Sequence, residues 1–201
     1  MIILLTPEYD ADQELNTVIQ LLDAGLDRLH IRKYEYTEKE TADYIRSIPA
    51  HHHAKLVLHA HYELAEEFEI KHIHYSERDR LELQHMPAWQ GVQFSTSVHD
   101  IDTFNQLEEY WDYAFLSPFY PSISKPGYGT ISTIHEQLAA RRNLVVKLIA
   151  LGGIDATNLV QTLSAKADGV ALLGVIWESK NPIKAFQDCR DALANTNNIK
   201  K

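Results

Sequence analysis

Only one cysteine, Cys189, occurs in 201 residues, so the chain can build neither an internal disulfide nor a multi-cysteine metal site. Cys189 falls inside Ile183 to Leu193, a stretch with helical spacing, where a buried thiol is expected. Positive charge is also scarce: 19 Lys and Arg stand against 28 Asp and Glu, a net charge of −9, and no basic run exceeds two residues. A surface that follows a phosphate backbone needs clustered Lys and Arg, so nucleic acid is not an expected partner. No apolar run approaches the roughly 20 residues that cross a bilayer. The opening Met1 to Pro7 is too short, and lacks the basic flank, for a signal peptide. A cytoplasmic protein with no membrane partner is expected. Gly/Ser linkers and low-complexity tracts are missing too, so residues 1–201 are expected to form one domain. None of this bears on self-association, and a homo-oligomer stays open.

What the chain does have is a recurrent unit: a short apolar or β-branched run, polar turn residues, then a segment of helical period. The runs are Ile2–Leu5, Arg28–Ile31, Lys55–Leu58, His72–His74, Val92–Ser95, Tyr113–Leu116, Val145–Ala150 and Gly169–Leu173. Between them, Leu15, Val18, Ile19 and Leu22 make one apolar helix face. Thr37 followed by Glu40 has the form of a capping box, and Asp155 or Thr157 stands ready to cap the helix that starts near Asn158. Strands separated by helices pair in parallel through right-handed crossovers. Eight such units predict an α/β fold, a (β/α)8 TIM barrel. An open doubly wound sheet would call for a Gly-rich turn after the first strand, and Thr6-Pro7-Glu8 is not one.

Chemistry in such barrels gathers at the carboxyl ends of the strands. There the histidines concentrate: His30 two residues before Arg32, His59 and His61 after the third run, His74 in the fourth, and Ser97 with His99 after the fifth. Alternation along a strand puts His30 and Arg32 on one side. Five histidines at four strand ends are expected to converge on one mouth, as acid-base or hydrogen-bonding groups or, on composition alone, as metal ligands. The segment from Ser117 to Thr130 holds three prolines, two glycines, four Ser or Thr hydroxyls and Lys125, a composition suited to an anion such as pyrophosphate. Gly152-Gly153 after the seventh run and Gly174 after the eighth occupy positions where backbone amides hold phosphate in many barrels.

Taken together, these motifs resemble the thiamine phosphate synthase and thiazole tautomerase superfamily nearly end to end. The synthase pattern Gly-Pro-x-Tyr-Pro-Thr-x-Thr-Lys is similar to Ser117-Pro118-Phe119-Tyr120-Pro121-Ser122-Ile123-Ser124-Lys125. Ala150-Leu151-Gly152-Gly153-Ile154, Lys166 to Ala171, Ser97-Val98-His99, and His74 with Asp79 match further segments of that pattern. The resemblance implies a transferase of thiamine biosynthesis that couples a hydroxymethylpyrimidine diphosphate to a thiazole phosphate. It implies Arg32 and Lys125 on the diphosphate, Ser122 and Ser124 as hydroxyl donors, Asp79 as a ligand of Mg2+, Ser97 and His99 near the reacting centre, and Gly152, Gly153 and Gly174 on the thiazole phosphate. His30, His59, His61 and His74 would line the substrate site.

Two departures matter. Tyr34 stands where the synthase has a second basic residue, and His59-Ala60-His61 replaces Asn-Asp-Arg, so Ala60 removes a carboxylate that would share the metal. The sister activity, aromatising a thiazole carboxylate phosphate, needs proton transfer and no cofactor, and His30-Ile31-Arg32 is similar to that branch. Its acid-base histidine position, however, holds Pro118. A non-catalytic thiazole-phosphate binder is the third reading.

Overall fold

The computed structural model describes residues 1–120 and 138–199, and the structural statements below concern those residues. Eight strands close into a barrel: β1 (Ile2–Leu5), β2 (Arg28–Ile31), β3 (Leu56–Leu58), β4 (His72–Tyr75), β5 (Gln93–Val98), β6 (Trp111–Leu116), β7 (Lys147–Leu151) and β8 (Gly169–Leu172). Each strand pairs in parallel with its neighbour in sequence, and β8 returns to β1. This is the (β/α)8 TIM barrel that the spacing predicts.

The helices that cover it are α1 (Glu14–Asp23), α2 (Glu38–Arg46), α3 (Leu64–Glu67), α4 (Glu77–Glu82), α5 (Ile101–Asn105), α6 (Leu159–Ser164), α7 (Gly174–Trp177) and α8 (Pro182–Ile199). On α1, Val18, Leu21 and Leu22 are buried against the barrel. The start of α2 is fixed by the capping box. The Thr37 hydroxyl accepts from the Glu40 amide, and the Glu40 carboxylate accepts from the Thr37 amide at 2.8 Å. Asp155 accepts from the amides of Thr157 and Asn158, at 2.8 and 3.3 Å, ahead of α6. Cys189 lies buried on α8, as its spacing implies.

Only β1 and β2 keep the bounds of the sequence reading: β5 runs on to Val98, β6 already begins at Trp111, and the others shift by one or two residues. β7 begins at Lys147 and not at Val145, leaving Leu144 and Val145 78% and 68% exposed. The cause is local: the Asn143 side-chain oxygen accepts from the amides of Val145 and Val146, each at 3.1 Å, and so takes donors that a strand would use.

Strand alternation divides the interior into two packed regions. Ile2, Leu4, Leu29, Ile31, Leu56, Leu58, Ile73, Leu148, Ala150, Val170 and Leu172 face the helices. Ile3, Leu5, Tyr113, Phe115, Ile149 and Ala171 pack together within the barrel. Barrel interiors are filled by layers in which branched aliphatics dominate. Here part of that filling is polar.

A buried ion pair ties the segment after β2 to α1. Lys33, 2% exposed, donates to the Tyr9 carbonyl at 2.7 Å, to Glu14 Oε2 at 2.8 Å and to Asp10 Oδ1 at 3.3 Å. Glu14 also accepts from the Tyr44 hydroxyl at 2.9 Å.

Candidate active site

Inward parity on β2 and β4 turns His30 and His74 into the barrel. His59 continues the parity of Val57 just past β3, and the three rings meet. His30 Nδ1 and His59 Nε2 are hydrogen-bonded at 2.8 Å, and the His59 and His74 rings stack with centroids 4.3 Å apart. Phe115 lies against both His30 and His74. The remaining nitrogens meet hydroxyls: His30 Nε2 with Tyr113 at 2.7 Å, His59 Nδ1 with Tyr34 at 3.1 Å, and His74 Nδ1 and Nε2 with Ser95 and Ser97 at 2.9 and 3.0 Å. Burial, which penalises the imidazolium, holds His30 and His59 well below the ordinary histidine range. Burial and the Arg32 charge hold His74 down at about 3. All three rings are therefore neutral near pH 7.

Above this layer opens a cavity of about 580 Å³ whose lining includes Tyr34, His59, Ala60, Ser76 and Asp79. Tyr34 reaches over His59, and burial raises its phenol above the usual range, so its hydroxyl keeps its proton. Asp79 lies in the first turn of α4, where its own amide donates to the Ser76 hydroxyl and its Oδ2 accepts from that hydroxyl at 2.7 Å. The Tyr62 hydroxyl donates to the carbonyls of His59 and His74, at 3.2 and 3.3 Å, and so clamps the two histidine-bearing ends.

A second cavity, about 180 Å³, brings Arg32 beside Gly174, with Glu8 and Trp177 in its wall. The Arg32 amide donates to the Thr6 hydroxyl at 2.8 Å, and Nη1 pairs with Glu8 at 3.2 Å. Arg32 Nε is buried with no hydrogen-bond partner. The Trp177 indole donates to the Leu5 carbonyl at 2.7 Å, fixing α7 to the end of β1. At the end of β7, Gly152 and Gly153 have φ of +105° and +63°. A Cβ on Gly152 would come within 3.2 Å of the Phe119 amide nitrogen, so the turn requires glycine. The Leu151 and Gly152 carbonyls accept from the Phe119 and Tyr120 amides, and the Asn158 amide group donates to the Gly153 carbonyl at 2.8 Å.

The expected convergence of five histidines is corrected to three. His61 has φ of +51°, which takes it out of strand parity, and its Nε2 donates to the Tyr36 carbonyl at 2.7 Å. His99 follows β5, where its exposed ring donates from Nδ1 to the Ser117 carbonyl at 3.0 Å and faces Glu77 at 3.7 Å. Neither side chain takes part in the buried layer. Ser97 does meet it, through His74. Ser122, Ser124 and Lys125 lie outside the described residues. The sequence reading did not single out Tyr113 and Trp177. Strand parity with Phe115 was the available signal for Tyr113, and no local signal marks Trp177.

The thiamine monophosphate synthase family model matches residues 2–176 of this chain. A thiamine-phosphate synthase of Listeria monocytogenes is 26% identical over 165 residues, covering 80% of this chain and 73% of that protein. One from Methanospirillum hungatei is 28% identical over 163 residues, covering 77% and 76%. Among solved structures, a thiamine phosphate pyrophosphorylase of Bacteroides thetaiotaomicron superimposes with a TM-score of 0.77 at 25% identity, covering 96% of this chain and 97% of that one. A Pyrococcus furiosus structure, at 14% identity and a TM-score of 0.75, shares the fold.

Proposed function

The chain belongs to the thiamine monophosphate synthase family, and we propose that it couples hydroxymethylpyrimidine diphosphate to a thiazole phosphate, forming thiamine phosphate and pyrophosphate. We read it as a single-domain cytoplasmic enzyme acting on small phosphorylated molecules. The observation that carries the reading is Arg32: a guanidinium with a buried, unpartnered Nε–H, lining a cavity with Gly174. A spare charge-assisted donor of this kind suits a phosphoryl oxygen.

In the proposed reaction the bond between the pyrimidine methylene carbon and the diphosphate oxygen breaks, and its electron pair leaves with the diphosphate. The thiazole nitrogen then supplies the pair that forms the new C–N bond. Arg32 takes up charge on the departing group, together with Lys125 and the hydroxyls of Ser122 and Ser124. The amides of Gly152, Gly153 and Gly174 hold the thiazole phosphate. His74, neutral and bonded to Ser97, keeps that hydroxyl oriented at the mouth.

The donor set for Mg2+ is thin but sufficient. Asp79 offers one carboxylate oxygen, the other being held by Ser76, while Ala60 offers none. Mg2+ commonly binds through one or two carboxylates and substrate phosphates while keeping several waters, and Asp79 fits that pattern. When bound, the ion neutralises charge on the diphosphate.

Incubation with both substrates across a range of Mg2+ concentrations tests the reading: thiamine phosphate should form, and Arg32→Ala should lower kcat by on the order of 10²–10³. No product at any Mg2+ concentration overturns it. Metal-independent turnover of the thiazole tautomer would then identify the sister activity, and thiazole-phosphate binding without turnover would identify a binder.

A further inference from the structure

We propose that His30, His59 and His74 form a nitrogen-only site for a divalent transition ion of the zinc class, at the inner floor of the cavity that Tyr34 and Asp79 line. The site is separate from any Mg2+ held at Asp79 and does not depend on the synthase reading.

Geometry carries the proposal. One ring nitrogen from each of the three histidines lies within 4.8 Å of the others, and all three residues are buried. A tetrahedral ion with bonds of about 2.0–2.1 Å sets its ligand nitrogens about 3.3–3.4 Å apart. The 2.8 Å His30–His59 contact would need to open by about half an ångström, and the His74 ring would need to turn out of its stack on His59 to close a separation of up to 4.8 Å by about 1.4 Å. Ion binding would replace that hydrogen bond and one of the two serine contacts of His74.

The other contacts already have the form of an outer shell. A ligating histidine usually has its second nitrogen held by a hydrogen-bonding group, which fixes ring and tautomer. Tyr113 does this for His30, Tyr34 for His59, and a serine for His74. Neutral imidazole is the ligating form, and burial keeps these rings neutral. The ligand set contains no carboxylate. Three imidazoles suit zinc, cobalt, nickel or copper, whereas Mg2+ requires oxygen. Three protein ligands leave a fourth position open, and His59 lines the cavity beside the small Ala60.

Cobalt titration of chelator-treated full-length protein tests this, with Co2+ as the probe. One equivalent should give the intense visible absorption of a four-coordinate site, and His59→Gln should abolish it. Tyr34→Phe, which leaves the ligands intact, should weaken binding about 10–100-fold. Replacing His51 and His52 together, beside the exposed Asp23, should change nothing, because that second cluster lies before β3, at the opposite end of the strand from His59. The proposal is overturned by a weak six-coordinate spectrum, by binding that survives His59→Gln, by loss confined to the His51 and His52 variant, or by unchanged affinity in Tyr34→Phe. Circular dichroism on each variant separates loss of the site from loss of the fold, and Tyr34→Phe decides the matter if His59→Gln unfolds.

Discussion

Lys33 offers the sharpest test of what holds the end of β2 in place. Its side chain is 1% exposed and meets two carboxylates, Glu14 at 2.8 Å and Asp10 at 3.3 Å. These are unequal partners, because Glu14 is 7% exposed and Asp10 76%. A solvated pair contributes about 0–1 kcal/mol, whereas removing one member of a buried pair costs about 3–5 kcal/mol because its partner keeps an uncompensated charge. Lys33→Met should therefore destabilise the protein by about 3–5 kcal/mol, nearly all of it through Glu14. With a urea m-value of about 2 kcal/mol/M, the unfolding midpoint should fall by roughly 2 M. Adding Glu14→Leu to Lys33→Met should recover much of that loss, since replacing both charges by apolar groups is often neutral. Asp10→Ala should shift the midpoint little. A Lys33→Met loss below about 1 kcal/mol, or strict additivity in the Lys33 and Glu14 double-mutant cycle, would refute the reasoning.

Two further outcomes are expected. In metal-free protein, His30, His59 and His74 stay neutral while the unfolded chain takes up protons below its ordinary histidine pKa of about 6.5, so stability is full above that pH and declines as pH falls below it. His74, held at about 3, should by itself lose about 1 kcal/mol by pH 5.5, and a His74→Asn variant should show a shallower pH dependence in urea melts; an equal slope contradicts the assignment. Gly152→Ala places a side chain at φ +105° and within 3.2 Å of the Phe119 amide nitrogen, so it should cost more than about 1 kcal/mol and lower Tm by at least about 2–4 °C in calorimetry.

The barrel was legible because fully buried parallel strands read as short apolar runs between helical segments. The boundary error at Val145 shows the limit: one asparagine side chain, Asn143, decides where the ladder begins, and apolar content cannot report that. Parity correctly aimed His30 and His74 inward, but parity lapses at a strand end. His61, with its positive φ, and His99, beyond β5, escaped it. Tyr113 was harder to find, since its role depends on register: pairing sets Tyr113 beside Ser95 and Ser95 beside His74, a row across three strands. Register between strands joined by helices is not written in either strand alone. Arg32 and Gly174 were each singled out, but only barrel closure between β1 and β8 makes them neighbours.

The polar layer also bears on how this sequence can drift. An aliphatic barrel layer can exchange Val, Ile and Leu one position at a time for small losses. Here a hydrogen-bonding partner of His30 is His59, and that of Tyr113 is His30. Losing one ring leaves a buried donor or acceptor unmet, at about 1–3 kcal/mol, while replacing both partners by apolar groups of similar shape can be nearly neutral. Positions 30, 59 and 113 are thus epistatically coupled, and the imidazole layer is one that mutation leaves in paired steps rather than singly.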